Sequence, residues 1–233
     1  MTTEPGHRQA AFFDVDGTLT KTTVVHHYAY FRRRLMSPAA GRLWSAAFLV
    51  KCLYYVAVDV IDRNKFNKVF YRGYRGLSAN DIIALAEGCH RDVIVPRRFR
   101  EAAGCVAAHR HAGRKIVLVT GSLDFIIAPL ARDLGADELL AARLEQSDGR
   151  FTGRLEHAPI AGAEKARVVR RYADDRKIDL QQSFAYGDSI ADLAMLETVG
   201  HPQAVNPDRR LAIVARGRRW PVHRWTTQRS AAS

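Results

Sequence analysis

Two carboxylates two residues apart, Asp14 and Asp16, follow the apolar run Ala10 to Phe13 and lead into Gly17-Thr18. Such a run reads as a buried strand of a parallel sheet, and ligands gather at the carboxyl ends of such strands. Two acids there are costly unless a cation accompanies them, so the pair points to a metal or a reaction. Taken alone, the stretch also fits a strand closed by ordinary Asp-Gly turn chemistry. Three more elements follow apolar runs or open helices. They are Thr120-Gly121-Ser122, Lys165, and Gly187-Asp188-Ser189 with Asp192.

Each of these has a plain structural reading. The Thr120 group can cap a helix, Lys165 can be a surface residue, and Asp188 and Asp192 can answer a helix dipole. Parallel strands, however, bring their carboxyl ends to one edge, where all four elements can converge. Asp14, Asp16 and Asp188 then offer hard oxygen ligands and no soft ones, which suits Mg2+. A phosphate dianion beside a carboxylate is repelled by about 4 kcal/mol per unit-charge pair at about 4 Å and an effective dielectric of about 20. A divalent cation and Lys165 offset that repulsion. Thr120 and Gly121, with the N–H groups at the following helix start, can hold phosphoryl oxygens.

The elements that must position these residues alternate between strand and helix past residue 110. Lys115 to Val119 predicts a strand, Ser122 to Leu134 a helix closed by Gly135, and Glu164 to Tyr172 a second helix. Ser183 to Tyr186 predicts a strand, Ser189 to Val199 a helix, and Gln203 to Val205 a last short strand. Gln146 to Leu155, with Asp148-Gly149 inside it, predicts a β-hairpin. The fold class is therefore α/β, a Rossmann-like core whose parallel sheet is flanked by helices. Residues 22–95 interrupt that pattern with a long, aromatic, mainly helical stretch, expected to be an inserted cap over the strand ends. Residues 1–21 and 96–233 are then the catalytic core, with Pro96 opening a helix that continues to His111.

Leu43 to Ile61 is long enough for a membrane span, but Lys51 stands at its centre and Asp59 near its end. An unpaired Lys at mid-bilayer costs at least about 2.5 kcal/mol, so no transmembrane segment is expected. By spacing, Leu43, Ala47, Val50, Tyr54 and Ala57 line one face, and Lys51, Tyr55, Val58 and Asp62 another. A buried cap helix is expected, with peripheral contact to anionic lipid as the alternative.

A chain of 233 residues with 47% hydrophobic content is an ordinary globular protein with a substantial core. Three cysteines without CxxC spacing argue against a disulfide framework or a zinc site. With a polar Met1 to Gln9 that lacks a secretory core, they fit a cytoplasmic location. The net charge of +12 favours anionic partners. Nucleic acid is not expected, because no recognition motif accompanies the charge.

In their order and spacing, the four elements resemble the motifs of the haloacid dehalogenase superfamily, specifically its phosphoserine-phosphatase-like branch (subfamily IB) with a helical, C1-type cap between the first and second motifs. The likeness runs from Ala11 to about Pro207. It implies a phosphatase in which Asp14 is the nucleophile and forms an aspartyl-phosphate, while Asp16 protonates the leaving oxygen and then activates water. It also implies that Mg2+ is held by Asp14, the carbonyl of Asp16 and Asp188, with Asp192 in support, and that Thr120 and Lys165 grip the phosphoryl group. Ion-transporting relatives have Thr where Asp16 stands, and dehalogenases lack the second acid, so Asp16 implies phosphoester hydrolysis.

Phosphoserine phosphatases carry Glu five residues beyond the motif-one Thr; this chain has Thr23 there, and Ala191 where their fourth motif usually has Asn. With a basic, aromatic cap and with Thr23, His26 and His27 as candidate substrate contacts, the expected substrate is a small or amphiphilic phosphomonoester. Phosphoserine or a related amino-alcohol phosphate is the alternative, as is discharge of the aspartyl-phosphate to an acceptor alcohol. A different class of reading is a non-catalytic basic binding protein on a hydrolase scaffold.

Overall fold

The computed structural model describes residues 8–61 and 69–227, with only the helical backbone described for 53–61. Strand β1 (Ala10–Phe13) is completely buried. Its alternate residues serve two cores: Ala10 and Phe12 pack with Val117, Val119 and Val169, whereas Ala11 and Phe13 pack with Ile116, Leu118 and Ile127. That period of two, apolar on both faces, is what a central strand covered on both sides requires.

The main sheet contains β2 (Lys115–Leu123), β3 (Glu138–Ala142), β6 (Phe184–Gly187), β7 (His201–Val205) and β8 (Val222–His223), in the order β3-β2-β1-β6-β7-β8. Every neighbouring pair is parallel. Phe13 lies in register with Leu118 on one side and Tyr186 on the other. The strand order changes direction between β1 and β6, which opens a crevice at their carboxyl ends. A separate antiparallel hairpin joins β4 (Leu144–Ser147) to β5 (Arg150–Leu155). Asp148 and Gly149 both take positive φ, as a two-residue type I′ turn demands.

Between Val24 and Arg97 the described residues are mainly helical: α1 (Val24–Arg34), α2 (Pro38–Ile61) and a series of short helices and turns ending at Val95–Arg97. Tyr28 anchors this insertion, packing on Trp44, Phe48, Phe70 and Tyr74 and donating to the Gly73 carbonyl at 2.8 Å. The hairpin is stitched to it by backbone bonds from Ala79 to Gly149 and from Phe151 to Leu77.

The structure corrects several expectations. The α2 face expected to be buried is exposed: Leu43 is 76% and Val50 70% accessible, and Ala47 is also exposed. Phe48 is buried instead, with Trp44 half-buried beside it, because these are the residues that meet Tyr28. The side chains of Tyr54, Tyr55, Ala57, Val58 and Asp59, and residue Asp62, lie outside the described residues. Pro96 sits in a 3-10 turn, and α3 starts only at Arg100, ending at His111. The intervening Arg98 and Phe99 are extended because they pair with Thr20 and Leu19.

Helix α4 likewise begins at Asp124 rather than Ser122 and runs to Leu134, since β2 continues to Leu123. Helix α5 (Ala163–Arg176) extends past both expected ends. The expected Ser189 to Val199 helix is instead a 3-10 turn, Ile190–Asp192, followed by one helical turn, Leu193–Leu196. Strands β3 and β8 and helix α6 (Arg209–Gly217) had no counterpart in the sequence pattern.

Candidate active site

The carboxyl ends of β1, β2 and β6 and the start of α5 enclose a cleft lined by Asp14, Asp16, Thr120, Gly121, Lys165, Asp188 and Asp192, with Ser122 and Ser189. Its volume is about 30 Å³, room for an ion or a water rather than a whole substrate. Asp14 is placed by the sheet itself: its N–H donates to the Tyr186 carbonyl at 3.0 Å, extending the β1–β6 ladder. Its Oδ1 accepts from the Lys165 ammonium, and its Oδ2 is buried with no hydrogen-bond partner.

Lys165 is 4% exposed and donates to Asp192 at 2.6 Å as well as to Asp14. Burial alone would lower its pKa, but Asp14 and Asp192 more than reverse this and hold it protonated. Asp192 spends its other oxygen on the N–H groups of Asp188 and Ser189 and on the Ser189 hydroxyl, at 3.1 to 3.2 Å. Its carboxylate therefore ties the β6 loop to Lys165.

Asp16 points elsewhere. Its Oδ2 accepts from the Ser122 hydroxyl at 2.5 Å and its Oδ1 from Thr22 at 2.8 Å. Thr22 is braced in turn by Thr20 at 2.6 Å. Thr120 Oγ1 accepts from the Ser122 N–H at 3.0 Å, an arrangement that keeps this segment extended and delays α4.

The charge count asks for a cation. Oxygen atoms of Asp14, Asp188 and Asp192 lie within 4.8 Å of one another. Burial raises the Asp14 carboxyl to about 6 despite the lowering effect of Lys165, with Asp192 adding to the rise. Burial raises Asp188 well above its ordinary value, and its neighbours Asp192 and Asp14 add to this. Both shifts mark negative charge that one ammonium does not balance. Hard carboxylate oxygens from three acids and an ion-sized cleft together fit Mg2+. Gly17 also fits this reading: its φ is +100°, and a Cβ there would collide with the Asp188 carboxylate. Thr18 Oγ1 donates to Asp188 Oδ1 at 3.2 Å and orients it.

The three cap-side candidates do not line the cleft; Val24 does. Thr23 is exposed, and its hydroxyl meets His26 Nδ1 at 2.9 Å. His27 is fully buried with neither ring nitrogen hydrogen-bonded, and its Nε2 stands 3.9 Å from Asp16 Oδ1. Burial lowers the pKa of both histidines. Ser122, Thr22, Thr18 and Ser189 were not among the sequence-derived site residues. Ser122, Thr22 and Ser189 each adjoin one that was, and Thr18 lies two residues beyond Asp16; that proximity was the available signal.

Residues 11–197 match the family model described as haloacid dehalogenase-like hydrolase. The chain is 35% identical over 222 residues, 94% of its length and 76% of the relative's, to "Probable phosphatase Rv3661" of Mycobacterium tuberculosis (strain ATCC 25618 / H37Rv). It is 32% identical to "Phosphoserine phosphatase SerB1" of the same organism, covering 96% of this chain and 73% of that one. Among solved structures, a protein of unknown function from Bordetella pertussis Tohama I superposes with a TM-score of 0.78 at 30% identity, covering 93% of this chain and 98% of the other. A substrate-bound phosphoserine phosphatase superposes with a TM-score of 0.68 at 17% identity, over 88% and 90% of the two chains, a likeness of fold. The chain belongs to the haloacid dehalogenase-like hydrolase family. Within that family it is a phosphatase.

Proposed function

We propose that this protein is a Mg2+-dependent phosphomonoesterase working through an aspartyl-phosphate on Asp14. The observation that carries the reading is the division of labour at Asp14: Oδ1 is held by Lys165 while Oδ2 has no protein partner. An immobilised carboxylate with one free oxygen is what in-line attack on phosphorus needs. Asp14 and Asp188, with the Asp16 carbonyl, would hold Mg2+, which when bound supplies positive charge against the phosphate dianion. Thr120, the Gly121 N–H and Lys165 hold the remaining phosphoryl oxygens.

Asp16, restrained by Ser122 and Thr22, gives a proton to the departing alkoxide as the phosphorus–oxygen bond breaks. It then takes a proton from the water that attacks the aspartyl-phosphate, returning Asp14 and releasing phosphate. Asp192 is a positioning residue that acts through Lys165 and the Ser189 loop. The helical insertion at residues 22–95 serves as the cap that selects substrate, on a core formed by residues 1–21 and 96–233.

The test is release of phosphate from p-nitrophenyl phosphate with Mg2+, together with Asp14→Asn. The wild type should turn over and lose activity to chelator, and the variant should be folded and inactive. A folded Asp14→Asn protein with substantial activity refutes the nucleophile assignment. A basic, non-catalytic binding protein would release no phosphate at all.

For the substrate, a small or amphiphilic phosphomonoester fits a cleft beside a basic, aromatic helical insertion in place of an acidic one. Phosphoserine is the second reading, favoured by the similarity to SerB1. A substrate panel separates them: strong preference for phosphoserine would overturn the first.

A further inference from the structure

A groove of about 670 Å³ runs between α1 and α2, lined by Arg33, Arg34, Arg42, Arg97 and His26. One carboxylate, Asp92, lies in it, already paired with Arg34 at 2.9 Å and Arg91 at 2.9 Å. The Arg97 guanidinium donates to the Val93 carbonyl at 3.0 Å and meets no carboxylate among the described residues, so the groove retains an excess of positive charge.

The groove adjoins an apolar surface. Successive helical residues turn by about 100°, which puts Leu43, Ala46, Ala47 and Val50 on one side of α2, with Arg42 and Leu49 along its edge. All six are exposed, and among the described residues nothing covers this side. Leu35, in the turn between α1 and α2, is exposed as well. Arg42 belongs to both features, lining the groove and edging the stripe.

We propose that this face docks on an anionic lipid surface, with the α2 stripe at the boundary between head groups and acyl chains and the groove holding lipid phosphates. An apolar stripe bordered by arginines matches an interfacial helix. No described helix is long and apolar enough to cross a membrane, so α2 lies along the surface. Nucleic acid would leave the stripe exposed, and a second copy of a +12 chain would bring like charge to like charge at Arg33 and Arg42.

The test is co-sedimentation of the full chain with vesicles of phosphatidylcholine alone and of phosphatidylcholine with phosphatidylglycerol. Binding should require phosphatidylglycerol and weaken at about 0.5 M salt. The double variants Leu43→Asp/Val50→Asp and Arg33→Glu/Arg42→Glu should each weaken it at least about tenfold. All four positions are exposed, and circular dichroism melting checks that both variants fold. Absence of binding to the anionic vesicles overturns the proposal. So does binding that survives either double variant, or a lipid-free dimer that Leu43→Asp/Val50→Asp abolishes.

Discussion

Lys165 and Asp192 are joined at 2.6 Å in a buried setting, and the same ammonium also holds Asp14. One cation thus serves two carboxylates from separate strand ends. Lys165→Met would leave both without a counter-charge, and breaking a buried pair in this way costs about 3–5 kcal/mol. Urea unfolding of the chelated protein should show a loss of that order, and Mg2+ should recover part of it. Unchanged stability would mean that water, not Lys165, balances these acids.

Asp188→Asn should act in opposite directions with and without metal. Without metal, Asp188 is half-buried, and desolvation, with Asp192 and Asp14 adding to it, holds its carboxyl well above the ordinary range. Removing its charge should leave the chelated variant at least as stable as wild type. Saturating Mg2+ should raise the wild-type Tm, by about 2.7 kcal/mol of stability at 100 times Kd, and should barely move the variant. An equal Mg2+ shift in both proteins would remove Asp188 from the ion's ligands.

Ser122 restrains Asp16 through a 2.5 Å hydrogen bond without standing in for its chemistry. Ser122→Ala should lower kcat about tenfold with little change in KM, a charge-assisted hydrogen bond being worth about 1.5–3 kcal/mol. Asp16→Asn should cost about 10²–10⁴-fold, since it removes the acid and base outright. Steady-state kinetics on one soluble substrate distinguishes these outcomes, and a Ser122→Ala effect confined to KM would make Ser122 a substrate contact instead.

His109 supplies a pH signature remote from the reaction. It is buried, bonded through Nε2 to the Tyr186 hydroxyl at 2.8 Å and packed on Phe13. Burial, with a contribution from Arg114, pushes its pKa down to about 4. The unfolded chain titrates near 6.5, so between about 6.5 and about 4 the unfolded state binds the extra proton. The stability tied to neutral His109 is therefore complete above about pH 6.5 and is lost as pH falls toward about 4, on the order of 1–2 kcal/mol. Urea titrations at a series of pH values should show a shallower acid loss in His109→Gln than in wild type. Parallel curves would sink this assignment.

The strand β1 and the acids behind it were legible because their signals are local: four consecutive apolar residues and a DxDGT stretch. The convergence of Thr120, Lys165 and Asp188 on Asp14 was legible from topology alone, since parallel strands share one carboxyl edge. The side of α2 that packs was not, because a helix rich in apolar residues all round offers no face to choose. The Ser122–Asp16 contact was hidden for a different reason. Thr-Gly-Ser before a helix reads as a cap, and only the bond from the Ser122 N–H to Thr120 Oγ1 turns the hydroxyl toward the acid. Strands β3 and β8 escaped because β3 is half-buried and lacks alternation, and β8 has only two residues.

The insertion between β1 and β2 has an evolutionary consequence. Strand β1 is fixed by its ladders to β2 and β6, so residues 24–97 can lengthen, shorten or change composition without shifting that register. Tyr71 nevertheless reaches back from the insertion to donate to the Gly121 carbonyl at 2.6 Å. With the insertion acting as the proposed cap, substrate preference can diversify in one genetic module while the reaction stays in another, with a single phenol among the links that keep the two in step.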